Sequence, residues 1–151
     1  MLSPLTQSLS PLWSPPAVIA TGPTLLTGTV FGTFSDFGDP PTNAFDGDTS
    51  TLFMTSANPS ACGIDLGAGN AQSCSSINFF PRTGVASRSI GGLFQGSNDG
   101  TTWTTIFTIT ACVDGWNTYT PTDTTTPYRY FQYWNNNGST FGACFEVQFW
   151  H

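Results

Sequence analysis

The chain contains no lysine, a single glutamate (Glu146), a single histidine (His151) and only three arginines, Arg82, Arg88 and Arg129. Each shortage excludes something. With no clustered basic side chains and a formal net charge of −6, the chain cannot neutralise a run of phosphates, so nucleic acid is excluded as a partner. An anionic membrane surface is excluded on the same ground. Missing lysine and a terminal histidine remove the usual Schiff-base and acid–base groups. No Ser-centred nucleophile elbow occurs. Asp46 and Asp48 lie too close in sequence for a glycosidase pair set across a cleft, so the chain reads as non-enzymatic. No apolar run is long enough to cross a bilayer. The first residues have no basic n-region and prolines break every apolar run, so no signal peptide is read and a mature or partial chain is expected.

What is present is aromatic and turn-forming. Phe, Trp and Tyr make up 15% of the chain, enough for a core, while 16 Gly and 11 Pro break it into short runs. No long stretch of good helix formers repeats at helical period. Short runs at regular spacing predict an all-β fold, an antiparallel β-sandwich or jelly roll. Ser97-Asn98-Asp99-Gly100 is a hairpin signal, because Asp-Gly tolerates positive φ. In the final run Phe145, Val147 and Phe149 alternate with Glu146 and Gln148, which predicts one core-facing side. Residues 1–23 stand apart: they carry no charge, several prolines, and scattered Leu with Trp13. They read as an extended arm that lies on its own domain or on a neighbour, ahead of a β domain over residues 24–151.

Cys62, Cys74, Cys112 and Cys144 form an even set without the paired spacing of a zinc site. Two disulfides are expected, which places the chain outside the cytosol. Cys62 with Cys74 is preferred among the three connectivities, because the Gly67-Ala68-Gly69-Asn70 turn brings those flanks together, leaving Cys112 with Cys144. Four buried free thiols are the alternative. Asn137-Gly138-Ser139 is an N-glycosylation triplet. The Thr-rich segment 120–127 reads as an O-glycosylated loop or simply a polar one.

Seven runs in order carry a family resemblance. They are Asn43-Ala44-Phe45-Asp46-Gly47-Asp48, Thr51 with Phe53, Ile64-Asp65-Leu66-Gly67, Phe80-Pro81-Arg82, Gly96-Ser97-Asn98-Asp99-Gly100 with Trp103, Tyr128-Arg129-Tyr130-Phe131, and Phe145-Glu146-Val147. Over residues 24–151 the chain resembles the discoidin family (factor V/VIII type C) and the related galactose-binding-like carbohydrate-binding modules. The resemblance implies a β-sandwich jelly roll. Phe53 stands where the family usually has Trp, and Cys62 near its usual aromatic; both exchanges are apolar.

Two constellations follow. Asp46 and Asp48 flank Gly47, so the chain can turn and aim oxygens at one point, as a hard cation requires. Glu146 needs a partner where an isolated buried charge is costly. The resemblance implies a structural Ca2+ held by Asn43, Asp46, Asp48, Thr51 and Glu146, with the Phe145 carbonyl as a further candidate. The alternative is a simple turn with Glu146 bonded locally. For a sugar, Arg82 matches the arginine that follows the Phe-Pro strand in fucose- and galactose-binding relatives. Arg88 matches more loosely, and the partnering histidine of those lectins is absent. Arg82 and Arg88 have structural salt bridges as their alternative role. Trp116 and Phe141, with Trp13 and Trp134, are candidate stacking faces for a sugar ring, against a core role.

The resemblance implies a secreted, non-catalytic glycan-binding or adhesion module, with glycans or glycoproteins as partners. The alternative is a self-assembling subunit of an extracellular filament or coat. Residues 1–23 would then add to a neighbouring copy head to tail.

Overall fold

The computed structural model describes residues 22–138 and 141–151. The N-terminal arm, except for its last two residues, and Ser139 of the glycosylation triplet lie outside the described residues. Nine strands run in chain order: β1 (Thr29–Gly32), β2 (Phe53–Thr55), β3 (Ser60–Asp65), β4 (Ser76–Pro81), β5 (Leu93–Ser97), β6 (Thr104–Thr108), β7 (Asn117–Tyr119), β8 (Tyr130–Asn135) and β9 (Gly142–Trp150). Two 3-10 turns, Pro41–Phe45 and Ala86–Ser89, are the only helical elements among the described residues. The strands pair antiparallel in a five-stranded sheet, β1-β3-β8-β5-β6, and a four-stranded sheet, β2-β9-β4-β7. This is the expected all-β sandwich.

The sheets interlock through aromatic side chains. Phe79 of β4 meets Phe94 of β5 at 5.5 Å between centroids and Tyr133 of β8 at 4.9 Å. Phe149 of β9 meets Phe131 of β8 at 5.2 Å. These rings are almost wholly removed from water, and each contributes on the order of 2–3 kcal/mol. The two ends of the described domain are stitched together. Thr24 and His151 exchange backbone hydrogen bonds at 2.8 and 2.9 Å, and Leu26 N–H donates to the Phe149 carbonyl at 2.8 Å.

Two expectations are corrected. Strict alternation in the last strand fails at Phe145. Phe80 pairs with Glu146 but Pro81 pairs with Cys144, so Phe145 is the extra residue of a bulge. Phe145 is half-buried against Phe80 at 5.8 Å, while Val147 and Phe149 keep the core. The second correction concerns cysteine. All four are free thiols, and neither Cys62–Cys74 nor Cys112–Cys144 forms. Cys62 on β3 points across the core to Cys144 on β9, Sγ to Sγ 3.9 Å. Cys74 instead donates to the Ser76 carbonyl at 3.3 Å. Burial pushes its thiol up to about 11.

Close approach explains one glycine. A Cβ on Gly63 of β3 would stand 2.4 Å from the Phe131 carbonyl oxygen and 2.5 Å from the Phe31 ring. Neither the backbone nor the packed ring can retreat. Gly63→Ala is expected to cost about 1–3 kcal/mol, read as a lower midpoint in urea denaturation. An unchanged midpoint would mean that β1 and β8 yield more readily than their packing implies.

Candidate functional site

Arg82 leaves the end of β4, where its Nη1 lies 3.2 Å from the Met54 sulfur on β2. The chain then turns at Gly84, whose N–H donates to both Asp114 oxygens at 3.0 Å. The 3-10 turn Ala86–Ser89 follows and presents Arg88 at the surface. Opposite lies the segment that connects β8 to β9. Asn137 ties it to this turn: its Nδ2 donates to the Arg88 carbonyl, and to the Ile90 carbonyl at 2.9 Å. A glycan on that nitrogen would displace these bonds.

Between the two segments is a pocket lined by Arg82, Val85, Arg88, Tyr133, Asn135 and Phe141, with Ser89 and Ala143 completing the wall. Three of the four residues expected to bind a sugar therefore converge: Arg82, Arg88 and Phe141. The fourth, Trp116, is 47% exposed and stands edge-on to Phe80 at 5.4 Å, outside the pocket lining. Trp134 is half-buried on β8 and does not line the pocket either; Trp13 lies outside the described residues. Neither Arg82 nor Arg88 forms a salt bridge among the described residues. The carboxylate of Asp65 is instead engaged by Arg129, Nε to Oδ1 and Nη2 to Oδ2, both at 2.7 Å. Arg129 is thus tied to the framework and not to the pocket.

Asn135 and Phe37 complete the site and carry no distinctive sequence signal. Asn135, within an Asn-Asn-Asn-Gly run, reads as turn; in fact it ends β8 and is only 3% exposed. Its Nδ2 donates to the Phe141 carbonyl at 3.1 Å, while its Oδ1 has no hydrogen-bond partner. A buried acceptor left without a donor is costly, and this one belongs to the pocket wall. Phe37, about half exposed, packs on Phe141 at 5.7 Å and widens its aromatic face.

The Asp46–Thr51 loop forms a second constellation. Asp46 Oδ1 accepts from Asp48 N–H at 2.8 Å and its Oδ2 from the Thr51 hydroxyl at 2.7 Å. The same hydroxyl donates to the Asp48 carbonyl at 2.9 Å. Glu146, 1% exposed on β9, accepts from Gly47 N–H at 2.6 Å. Asp48 turns its own carboxylate toward Ser50 at 2.8 Å, and Asn43 Nδ2 is anchored on the Leu52 carbonyl at 2.9 Å. Among the described residues no group of three or more His, Cys, Asp or Glu side chains gathers around one point. The donor set here is two carboxylates with neutral oxygens, which suits a hard cation and not a transition metal. Burial, and then the adjacent Asp46 carboxylate, push Glu146 up to about 7.

Comparison with solved structures places this geometry among carbohydrate-binding modules. The CBM62 module of Clostridium thermocellum Xyl5A is 36% identical over 83% of this chain and 95% of its own, with a TM-score of 0.72. The family 32 module of C. perfringens NanJ, solved in complex with galactose, is 21% identical over 85% of this chain and 99% of its own, with a TM-score of 0.67. A fucolectin from striped bass (Morone saxatilis) serum is 15% identical over 83% of this chain and 45% of its own, with a TM-score of 0.72. The last two share the fold. No protein-family model and no curated protein matches the chain.

The buried carboxyl generates a pH dependence. Folded Glu146 is pushed up to about 7, above the ordinary glutamate value of 4.5 that it keeps in the unfolded chain. Between these values the native chain keeps a proton that the unfolded chain has released. Metal-free stability is therefore full below about 4.5 and falls as pH rises through about 7. Melting temperature measured in chelator from pH 4.5 to 8 is expected to fall, and Glu146→Gln to flatten the curve. A flat wild-type profile would show that the carboxyl is not perturbed.

Proposed function

We propose that this chain, which belongs with CBM62 to the galactose-binding-like, discoidin-type carbohydrate-binding modules, is a non-catalytic glycan-binding module that acts outside the cell. One observation carries the reading. Arg82 and Arg88, neither of them spent on a carboxylate, share one pocket with Phe141 and with Asn135, whose buried Oδ1 has no hydrogen-bond partner. A sugar supplies what each lacks. Its hydroxyls donate to Asn135 and accept from the guanidinium forks, and its C–H face lies on Phe141. A family 32 module from NanJ has been solved with galactose and that of AlyQ with 4,5-unsaturated mannuronic acid, so ligands of this class suit the fold. No catalytic pair accompanies the pocket lining, which has neither a carboxylate nor a histidine.

A structural Ca2+ belongs to the same reading. Asp46, Thr51, Glu146 and the carbonyls of Asp48 and Asn43 would hold it, relieving the repulsion between Asp46 and Glu146. Its role would be to tie the 46–51 loop to β9. The alternative of self-assembly through residues 1–23 rests on a segment largely outside the described residues, and no described contact favours it.

Calorimetric titration against a sugar panel, with Ca2+ present, tests the glycan site. Arg82→Ala and Phe141→Ala are each expected to weaken binding roughly 10- to 100-fold, while Trp116→Ala stays within about twofold. A broad array with no bound glycan would overturn the reading. For the metal, Ca2+ at a hundredfold excess over its Kd is expected to raise the melting temperature of chelated protein by roughly 5–10 °C. Glu146→Gln should lose that response; an unchanged wild-type melting temperature would exclude the site.

A further inference from the structure

Charge in this chain is scarce and mostly negative, with nine acids against three arginines. Its distribution around the pocket is inverted. Two of the three arginines line it, and none of the lining residues is an acid. Arg129 is fully committed to Asp65 by two hydrogen bonds. Arg82 has only the Met54 thioether as a side-chain partner, a weak acceptor that leaves most of its donors open. Asp114 accepts from the N–H of Gly84, two residues after Arg82, yet it forms no salt bridge with either guanidinium.

A neutral sugar would answer the Asn135 oxygen and the Phe141 ring. It would leave the positive charge of two guanidinium groups facing uncharged hydroxyls. An oxyanion adds what a hydroxyl cannot, a full opposite charge and two parallel hydrogen bonds from one planar fork. An anion alone would in turn leave Asn135 Oδ1 without its donor, because that atom accepts and cannot face a second acceptor. The complement of the whole pocket is a ligand with an oxyanion and a neighbouring hydroxyl on one ring.

Building on the glycan-binding reading above, we infer that the pocket selects an acidic sugar, a carboxylate or sulfate ester held by Arg82 and Arg88 with a ring hydroxyl donated to Asn135. The oxyanion spans the two guanidinium groups, and the sugar face rests on Phe141. Specificity for charge then comes from the two arginines, and specificity for a sugar over a bare anion from Asn135.

The test is calorimetry on the full chain with Ca2+ present, using galactose, galacturonate and galactose 6-sulfate, which differ only at C6, with acetate and sulfate as bare anions. Galacturonate, the 6-sulfate, or both should bind at least about tenfold tighter than galactose. The preference should shrink markedly at high salt, since it rests on charge. Which of the two binds identifies the oxyanion as carboxylate or sulfate ester. Arg82→Gln and Arg88→Gln should each weaken the acidic ligand more than galactose, so that the preference between them falls to within about threefold; the salt series on wild-type protein reads the same point without any variant. Galactose binding as tightly as its acidic analogues would overturn the inference and leave the glycan-binding reading standing. Acetate or sulfate competing as well as the sugars would overturn it in favour of a plain anion site. No binding by any of the sugars would overturn both.

Discussion

The contact between Phe79, Phe94 and Tyr133 is the interaction on which the rest of the structure depends. It joins β4 of one sheet to β5 and β8 of the other, with centroids 4.9 to 5.5 Å apart. Tyr133 serves the core and the pocket at once, because its ring packs on Phe79 and also forms pocket wall. Its phenol is held far from ionisation by burial. A pocket floored by a core residue is rigid for the same reason that the core is. The flanking loops bring Arg82, Arg88 and Phe141 to that floor.

Scarcity of charge gives each ion a defined place. In a charge-rich protein an unpaired surface arginine means little, since most such groups are merely solvated. Here one arginine fixes the β3–β8 end through Asp65, and the other two share one cavity. The single glutamate is buried beneath a loop whose Gly47 N–H donates to it. The polarity of the exposed loops comes instead from Thr, Ser and Asn.

Most of the fold was legible because its signals are local. Asp99 accepts from the N–H groups of Thr101 and Thr102 at 2.8 and 2.6 Å, and Gly100 takes φ 72°, as the Asp-Gly pair requires. The strands β2 and β7, each only three residues long, are too short to show a period. The bulge at Phe145 was illegible because it is a property of pairing with Phe80 and Pro81, not of β9 itself. Cysteine pairing was illegible for a similar reason. Proximity along the chain favoured Cys62 with Cys74, but the sandwich sets Cys62 against Cys144, 82 residues away. In the site, the arginines and Phe141 could be read from residue type and position. Asn135 could not, since what distinguishes it is a buried oxygen without a donor, and only tertiary packing creates that.

The two constellations are not independent. The Asp46–Thr51 loop runs directly into β2, where Met54 pairs with Ala143 of β9 and receives Arg82 Nη1 on its sulfur. Ala143 lines the pocket and lies three residues before Glu146 on the same strand, roughly 10 Å along it at the usual rise. Anything that fixes Glu146 to the 46–48 loop therefore steadies β9 and the neighbouring β2, on whose Met54 the pocket's first arginine leans. On the proposed reading, a cation there would act on the glycan site through β2 and β9, without touching the sugar. The bulge belongs to the same arrangement. By taking up one residue at Phe145, it lets Cys144 keep its place in the core while Glu146 reaches Gly47, which strict alternation along β9 would not allow.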